Sequence, residues 1–330
     1  MSPNVLQELR NYFGRDFLLG VFFPVLIFLS VSLAIFFEIT QGLVAAYTRW
    51  EKFSLQSQLL LVAGGLVMAM VLSYLLYNFQ YAITQFFEGY WPRTPVLQAL
   101  RTWRTKLYRR RWEYLGTLAS SASATGVVNP VTAEQLTQYP SPLHLNEFMP
   151  TRIGNILRSS EVYAYDRYGI NSPIIWTRLR PLLAGEVIAP LAESELAKNF
   201  MLLMTALAVT FSLIWCVILG FFTRRWDLFL LCSLGWPLAW ICYHNAVQST
   251  LAFSERLKAI FDLQRFTLLK ALGRKFPANL EEERKEWTRL SLFFYAGHEI
   301  APSPPEPAQA QSLDEVVANL ADYLKNNHES

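Results

Sequence analysis

The stretch that decides the fold is residues 228–272, LFLLCSLGWPLAWICYHNAVQSTLAFSERLKAIFDLQRFTLLKAL. No charged residue occurs from Leu228 to Ser254, a run of 27 residues. After Ser254 the pattern becomes amphipathic, and no helix stop is evident before Gly273. At 1.5 Å per residue, a helix of this length extends about 65 Å, roughly twice the hydrocarbon thickness of a bilayer. The stretch therefore predicts one helix that crosses a membrane and continues beyond it.

The composition of the whole chain supports this interpretation. Of the 330 residues, 52% are hydrophobic and only 17% are charged, whereas about 25% are charged in a typical soluble domain. Three more runs without charge lie at 17–37, 53–87 and 199–223. Four such runs are hard to bury in one soluble core. We therefore expect an all-α integral membrane protein with four transmembrane helices in two hairpins and helices that extend into a cytoplasmic α-helical domain.

The predicted boundaries follow from these runs and from the residues that stop helices. The first hairpin lies within 1–91, with spans at about 17–37 and 59–80. Its second helix is expected to pass the membrane surface and stop near Gly89, because Pro92 cannot continue it. The second hairpin occupies 199–248, with spans at about 200–222 and 228–248. The other parts are a cytoplasmic helical region at 92–198, a helical extension at 249–300, and a Pro-rich linker and last helix at 301–330.

The distribution of positive charge predicts the orientation, because loops on the cytoplasmic side are enriched in Lys and Arg. Residues 90–112 contain seven cations, and six more follow the fourth span between 256 and 275. The two short hairpin loops contain only Arg49 and Lys52, then Arg224 and Arg225. We therefore expect both termini and both polar regions in the cytoplasm.

Residues 95–121 predict an amphipathic helix with Arg and Lys on one face. Three interpretations of that face remain open: a solvated surface, a contact with anionic lipid, and a nucleic-acid patch. The lipid contact is credible because the helix begins a few residues after a predicted membrane exit. A net charge of only +3 argues against nucleic acid as a partner.

The segment 150–170 is the best candidate for a binding site outside the membrane. Thr151 is a plausible N-cap and Gly169 a plausible stop for a helix between them. The free N–H groups of a helix start attract anions, so the candidate residues for an anion or lipid headgroup are Arg152, Asn155, Arg158 and Arg167. Local ion pairs are the alternative, namely Arg158 with Glu161, and Asp262 with Arg265 on the long helix.

A second candidate is a polar cluster where the second and fourth spans leave the membrane. Polar side chains within spans are costly and are often functional. The residues at this depth are Asn78, Gln80, Tyr243, His244 and Asn245. The cluster could line a pore or relay protons, or it could form ordinary hydrogen bonds between helices.

No motif for a metal, a cofactor or catalysis is evident. Cys216, Cys232 and Cys242 all fall in apolar runs, where they suit packing within the membrane. His244 lacks a second His or Cys at i+3 or i+4, so we expect no metal site. We expect no cofactor, and whether the chain is an enzyme stays open, with the balance against it.

Three segments resemble parts of uncharacterised multi-pass bacterial membrane proteins. They are PTRIGN at 150–155, the continuation with Glu161, RYG at 167–169 and Trp176, and FDLQRFTLLKAL at 261–272. The resemblance covers about half the chain and implies a bacterial plasma (inner) membrane. It implies no activity and no catalytic residues.

Taken together, these patterns favour a non-enzymatic membrane protein, an oligomeric scaffold or channel-like assembly with a cytoplasmic sensing or docking domain. The alternatives are a transporter subunit, or a membrane enzyme or binding protein that acts on an anionic lipid headgroup or an isoprenoid phosphate. The expected partners are the lipid bilayer, anionic lipids, further copies of the chain, and a cytoplasmic protein that binds the C-terminal region.

Overall fold

A computed structural model describes residues 17–124 and 135–297, together with Gly14. Every regular element in these ranges is helical. Short π-helical turns lie at Leu18–Phe22 and Ile218–Thr223, and short 3-10 turns at Pro142–Glu147 and Arg180–Leu182. The α-helices are α1 (Phe23–Thr40), α2 (Leu43–Glu51), α3 (Leu55–Glu88), α4 (Pro95–Ala124), α5 (Arg152–Tyr168), α6 (Ser172–Leu179), α7 (Gly185–Val217), α8 (Trp226–Ser233), α9 (Gly235–Ala271) and α10 (Leu280–Ala296).

Four helical stretches are long and apolar enough to cross a membrane: Leu18–Thr40, Leu55–Glu88, Gly185–Thr223 and Trp226–Ala271. Each contains most or all of one uncharged run, and the last two extend well beyond it. The prediction of a helical chain with four apolar helices of membrane-spanning length is therefore confirmed for the described residues.

We call the remaining helical part the head. It consists of α4, α5, α6 and α10, the segment 135–151, the α7 residues before Asn199 and the α9 residues after Gln248. Its core is built mainly from Ile170, Ile175, Leu179, Leu191, Phe261, Leu269 and Trp287, all of them buried.

The helix ends that the sequence predicts at Gly89, Thr151 and Gly169 are present, and Asn279 provides a further cap. α3 runs to Glu88 and stops at Gly89, whose φ of 103° is the left-handed conformation that glycine adopts readily. The Thr151 side chain caps α5, and Gly169 ends it with φ 74°. Asn279 caps α10 by accepting a hydrogen bond from the Glu282 N–H at 2.9 Å. These ends depend on local chemistry, so a sequence pattern is enough to find them.

The third apolar helix begins earlier than the uncharged run indicates. α7 starts at Gly185, before the predicted boundary near 200, and includes Pro190. Leu191 on this early part is buried in the head core, and the Pro190 carbonyl accepts a hydrogen bond from Arg256 of α9. Packing against α9 therefore continues the helix through a stretch that contains charged residues.

The fourth apolar helix is interrupted once, at Leu234, where a continuous helix is predicted. Pro237 has no N–H to offer the preceding turn. A Cβ at Gly235 would overlap the Ser212 hydroxyl, and that hydroxyl donates to the Cys232 carbonyl at 2.9 Å. The break thus brings α9 close to α7, and Ser212 bonds a buried carbonyl oxygen of the turn before the break.

α7 and α9 form the centre of the molecule as a long antiparallel pair. Leu202 packs with Ala246 and Val247 where the apolar part meets the head, and Gly235 lies close to Ser212 at the other end. α5 lies parallel to α9. The head and the apolar helices therefore share one continuous pair of helices.

Several predictions lie outside the described residues. These are the tail before residue 17, apart from Gly14, and the linker and last helix at 301–330. The protein partner predicted for the C-terminal region belongs to the same part of the chain.

Candidate functional site

The start of α5 is closed by the end of α3. The Thr151 hydroxyl accepts a hydrogen bond from the Gly154 N–H at 2.9 Å and donates one to the Glu88 carbonyl at 2.9 Å. A Cβ at Gly154 would overlap the same carbonyl oxygen. Helix starts carry partial positive charge and helix ends partial negative charge. The sequence predicts an external anion at the start of α5. In the structure, the Glu88 carbonyl at the end of α3 occupies that place.

Asn155 is buried, with 1% of its surface exposed. Its side-chain oxygen accepts from the Met149 N–H at 2.9 Å, and its amide donates to the Met149 and Thr151 carbonyls, both at 2.8 Å. Both amide hydrogens are therefore used within the protein. Asn155 holds the turn before α5 in place and does not face an external ligand.

The remaining arginines of α5 do not converge on one point. Arg158 lies between two carboxylates, with Glu147 at 2.9 Å and Glu161 at 2.6 Å, so the local pair with Glu161 is present. The Arg167 guanidinium lies over the Tyr163 ring, 4.7 Å from its centroid. From the first arginine of α5 to the last, the helix rises about 22 Å. A single anion cannot contact the whole predicted set.

Arg152 belongs instead to a basic and aromatic group drawn from four parts of the chain. We call this group the junction cluster, because it lies where the apolar helices enter the head. Its members are Arg104, Tyr108 and Arg111 of α4, Tyr139 of the connecting segment, Arg152 of α5 and Tyr243 of α9.

Direct contacts hold the α4 side of the junction cluster. Arg104 donates to the Pro150 carbonyl at 3.3 Å and to the Tyr108 hydroxyl at 3.2 Å. The Tyr108 and Tyr139 rings are 6.4 Å apart. Burial raises the pKa of Tyr139, whereas the nearby Arg111 and other cations act in the opposite direction. The tyrosine is therefore a neutral hydrogen-bond donor beside positive charge.

Two further members complete the cluster from α5 and α9. Arg152 donates to the Gln138 side chain at 3.1 Å. The Tyr243 ring packs against Phe87 of α3, with centroids 6.2 Å apart, and Tyr243 lies within electrostatic range of Arg104 and Arg152. Guanidinium groups and phenol hydroxyls are donors that suit phosphate and carboxylate oxygens. The junction cluster is therefore a candidate anion site.

The polar residues predicted to form a cluster at the membrane exit go to separate places. The Asn78 amide donates to the Tyr74 carbonyl of its own helix at 2.7 Å. His244 is exposed and stacks on Trp240 at 4.9 Å, and Asn245 is also exposed. Gln80 is half-buried on α3. Of this set, Tyr243 alone belongs to the junction cluster as defined above.

Asp262 and Arg265 each bond to other side chains in place of the pair predicted between them. The Asp262 carboxylate accepts hydrogen bonds from Tyr163 at 2.8 Å and Tyr168 at 2.7 Å. Arg265 pairs with the buried Glu283 of α10 at 2.6 Å, and donates only to the main-chain carbonyl of Asp262. These contacts tie α5 and α10 to α9. Spacing along one helix did not predict them because the partners come from other helices.

His144 is a residue whose contacts the sequence did not indicate. Its ring nitrogens lie 2.8 Å from Asp166 and 3.3 Å from Glu147. The spacing of His144 and Glu147 is a weak local signal, whereas Asp166 is 22 positions away. Within 17–124 and 135–297, no group of three or more His, Cys, Asp or Glu side chains is arranged to hold a metal ion.

The geometry of the junction cluster is the basis for a functional proposal. No protein-family model, curated protein or solved structure matches the chain. The resemblance of the segments at 150–176 and 261–272 to multi-pass bacterial membrane proteins therefore stays a prediction.

Proposed function

We propose that this chain is a multi-pass membrane scaffold that holds the head at the cytoplasmic face of a bacterial plasma membrane. The observation that carries this proposal is that α7 and α9 contribute both to the apolar helices and to the head. In the apolar part Trp215 of α7 and Ala239 of α9 are buried, and Leu191 of α7 and Ile260 of α9 lie in the head core. A head that shares its central helices with the membrane anchor moves with that anchor.

Charge and aromatic residues support the proposed orientation, with α1 and α3 as one hairpin and α7 to α9 as the other. The cations of α4 and of the last turns of α9 lie on the head side, and the positive-inside rule places such flanks in the cytoplasm. At the opposite end, α2 carries Tyr47, which is exposed, and Trp50, and the exposed Phe53 follows it. Aromatic residues of this kind are typical of the membrane interface.

Cysteine labelling in intact cells tests the orientation. In a chain whose three native cysteines are replaced by alanine, Lys52→Cys and Arg224→Cys mark the two short loops, and Lys275→Cys marks the head. An impermeant maleimide is expected to label the loop positions directly and the head position only after the membrane is opened. Labelling of Lys275→Cys from outside would refute the cytoplasmic head.

We further propose that the scaffold is a homo-oligomer in which α3 contacts a second copy. Most of the first half of α3 is exposed, and a Cβ at Gly64 or Gly65 would meet no atom within 4 Å. Small residues allow transmembrane helices to approach closely.

Gly65→Leu is expected to shift the mass of the detergent-solubilised protein towards the monomer. The control is Val44→Leu on the exposed face of α2, which is expected to leave the mass unchanged. An unchanged mass for Gly65→Leu would exclude this contact.

A further inference from the structure

An apolar groove opens sideways between α3 and α7, close to the head. Its volume is about 460 Å³. A groove on the side of two apolar helices faces the acyl chains of the bilayer. The side chains that line it include Phe79, Ile83, Phe86 and Phe87 of α3 and Ala206 and Val209 of α7.

The groove and the junction cluster meet at Phe87. This ring lines the groove and also packs against Tyr243. On the same side, Arg104 donates to the Pro150 carbonyl, and Thr151, the neighbour of Arg152, donates to the Glu88 carbonyl next to Phe87. The apolar groove therefore leads to a group of guanidinium and phenol donors. This arrangement suits an amphiphile, whose apolar chain would lie in the groove and whose polar end would meet the donors.

The charge at the head end of the groove favours an anion. The junction cluster contributes three arginines, and the hydrogen bonds of Arg104 and Arg152 go to uncharged acceptors: a carbonyl, a hydroxyl and an amide oxygen. Glu88 is the acidic residue closest along α3, and its main charged neighbours are Lys198 and Glu161. The arginine charge of the cluster is therefore available for a ligand.

We propose that the groove and the junction cluster together bind one anionic phospholipid. An acyl chain lies between α3 and α7, and the phosphate accepts hydrogen bonds from Arg104, Arg152 and Tyr243. A free phosphate ion would make the polar contacts but would leave the groove without an occupant. The inference rests on the proposed insertion into a membrane, although it does not depend on which way the chain is oriented.

Native mass spectrometry of the full-length protein in detergent tests the site. The probes are dioleoyl phosphatidylglycerol, which is anionic, and dioleoyl phosphatidylcholine, which has no net charge. The wild-type protein is expected to retain the anionic lipid preferentially, and millimolar inorganic phosphate is expected not to displace it. Equal retention of the two lipids, or displacement by phosphate, would overturn the proposal.

Arginine variants separate the junction cluster from general positive charge. Arg104→Gln and Arg152→Gln are each expected to weaken binding of the anionic lipid roughly tenfold, because each removes a charge-assisted contact. The matched control is Lys106→Gln with Arg110→Gln, which removes two exposed charges from another face of α4. A loss in the control equal to that in the cluster variants would refute the assigned site.

Two variants that remove no charge test the site independently, in case substitution of Arg104 disturbs the fold. Tyr243→Phe removes one hydroxyl and keeps the packing on Phe87, and is expected to weaken binding roughly two- to fivefold. Ala206→Trp fills the groove and is expected to abolish the preference for dioleoyl over dihexanoyl phosphatidylglycerol, whereas Leu230→Trp on the exposed side of α8 is expected to retain it. Wild-type binding by both Tyr243→Phe and Ala206→Trp would overturn the proposal. A wrong orientation would alter the cysteine labelling and leave all these binding results unchanged.

Discussion

The Asp262 carboxylate joins α5 to α9 through the Tyr163 and Tyr168 hydroxyls. Hydrogen bonds to a charged group contribute about 1.5–3 kcal/mol to stability. We therefore expect Asp262→Asn to destabilise the protein by roughly that amount, since the amide carries no charge and accepts fewer bonds. Thermal unfolding in detergent micelles measures the change.

Glu255→Gln is the control for this substitution. Glu255 lies on the same helix and pairs with Lys258, and its side chain is 61% exposed. Exposed pairs contribute about 0–1 kcal/mol. If both variants unfold at the same temperature, Asp262 is not the contact that joins the two helices.

The same contact predicts how stability changes at high pH. Burial and the hydrogen bond to Asp262 raise the pKa of Tyr163 to about 12, from an ordinary value of 10.0. Below pH 10 the folded and unfolded chains both keep this proton. Between pH 10 and 12 only the folded chain keeps it, so this contribution to stability is lost as the pH rises through that range.

Absorbance of tyrosinate during a pH titration checks this prediction, and Tyr163→Phe is the reference. The variant is expected to lack one late-titrating tyrosine and to lose less stability between pH 10 and 12 than the wild type. A wild-type titration in which every tyrosine ionises near pH 10 would contradict it.

At the residue scale, the sequence predicted contacts within one helix and missed those between helices. The Thr151 cap and the Arg158–Glu161 pair depend on residues three positions apart, so local spacing is enough. Arg104 and Tyr243 are 139 positions apart, and only the packing of α4 and α9 against the head brings them together. The sequence therefore named Arg152 and Tyr243 in two separate candidate sites and did not indicate that they belong to one cluster.

The contact between α3 and α5 depends on one position without a side chain. Gly154→Ala places a Cβ on the Glu88 carbonyl oxygen, which belongs to the backbone and cannot turn aside. We expect a loss of about 2 kcal/mol or more in stability, measured by thermal unfolding. Gly116→Ala on α4 meets no atom within 4 Å and is expected to be neutral or to stabilise by up to about 1 kcal/mol. Equal effects of the two substitutions would exclude a close contact at Gly154.

α4 presents an exposed apolar stripe whose place in the membrane can be measured. The stripe consists of Val96, Leu100, Trp103, Leu107, Tyr114 and Leu118. An apolar stripe beside basic residues is typical of a helix that lies in the membrane interface. We expect a nitroxide at Leu107→Cys in liposomes to be reached by oxygen and shielded from a water-soluble nickel chelate.

The neighbouring position supplies the control for this measurement. Lys106 is exposed on another face of α4, because successive residues of a helix are about 100° apart. A nitroxide at Lys106→Cys is expected to be reached by the chelate. Equal access of the chelate to both positions would indicate a solvated helix, which is one of the alternatives that the sequence leaves open.

The lengths of the elements show why hydropathy alone did not indicate where the third apolar helix begins or where the fourth is interrupted. The uncharged run at 199–223 marks the apolar part of α7, yet the helix begins at Gly185 because Leu191 packs into the head core. The break at Leu234 depends on how closely Gly235 approaches Ser212. Both features arise from the packing of α7 against α9, which a local sequence pattern does not reveal.

At the scale of the whole molecule, two helices connect the apolar part to the head. α7 is continuous from Gly185 to Val217, and α9 is continuous from Gly235 to Ala271. Spin labels are attached at Lys52→Cys and Lys275→Cys, and the distance between them is measured by pulsed electron paramagnetic resonance. One narrow distance distribution is expected. Gln248→Pro interrupts α9 between its two parts, since proline in a helix interior costs about 3 kcal/mol. The distribution is expected to broaden.

Gln248→Ala controls for loss of the exposed glutamine side chain, and is expected to keep the narrow distribution. A broad distribution in the wild type would show that the head moves independently of the apolar helices, and would count against the scaffold proposal.

The docking of α3 onto α5 also has a consequence for biosynthesis. The Glu88 carbonyl that receives Thr151 is made early, and α5 follows soon afterwards, yet α5 packs along α9, which the ribosome delivers about a hundred residues later. At about 5–20 residues per second, this interval lasts roughly five to twenty seconds. During it the apolar face of α5, with Ile153 and Ile156, lacks the surface that later buries it. We therefore expect nascent chains stalled before Gly235 to be more readily cleaved by proteases and bound by chaperones than chains that include α9.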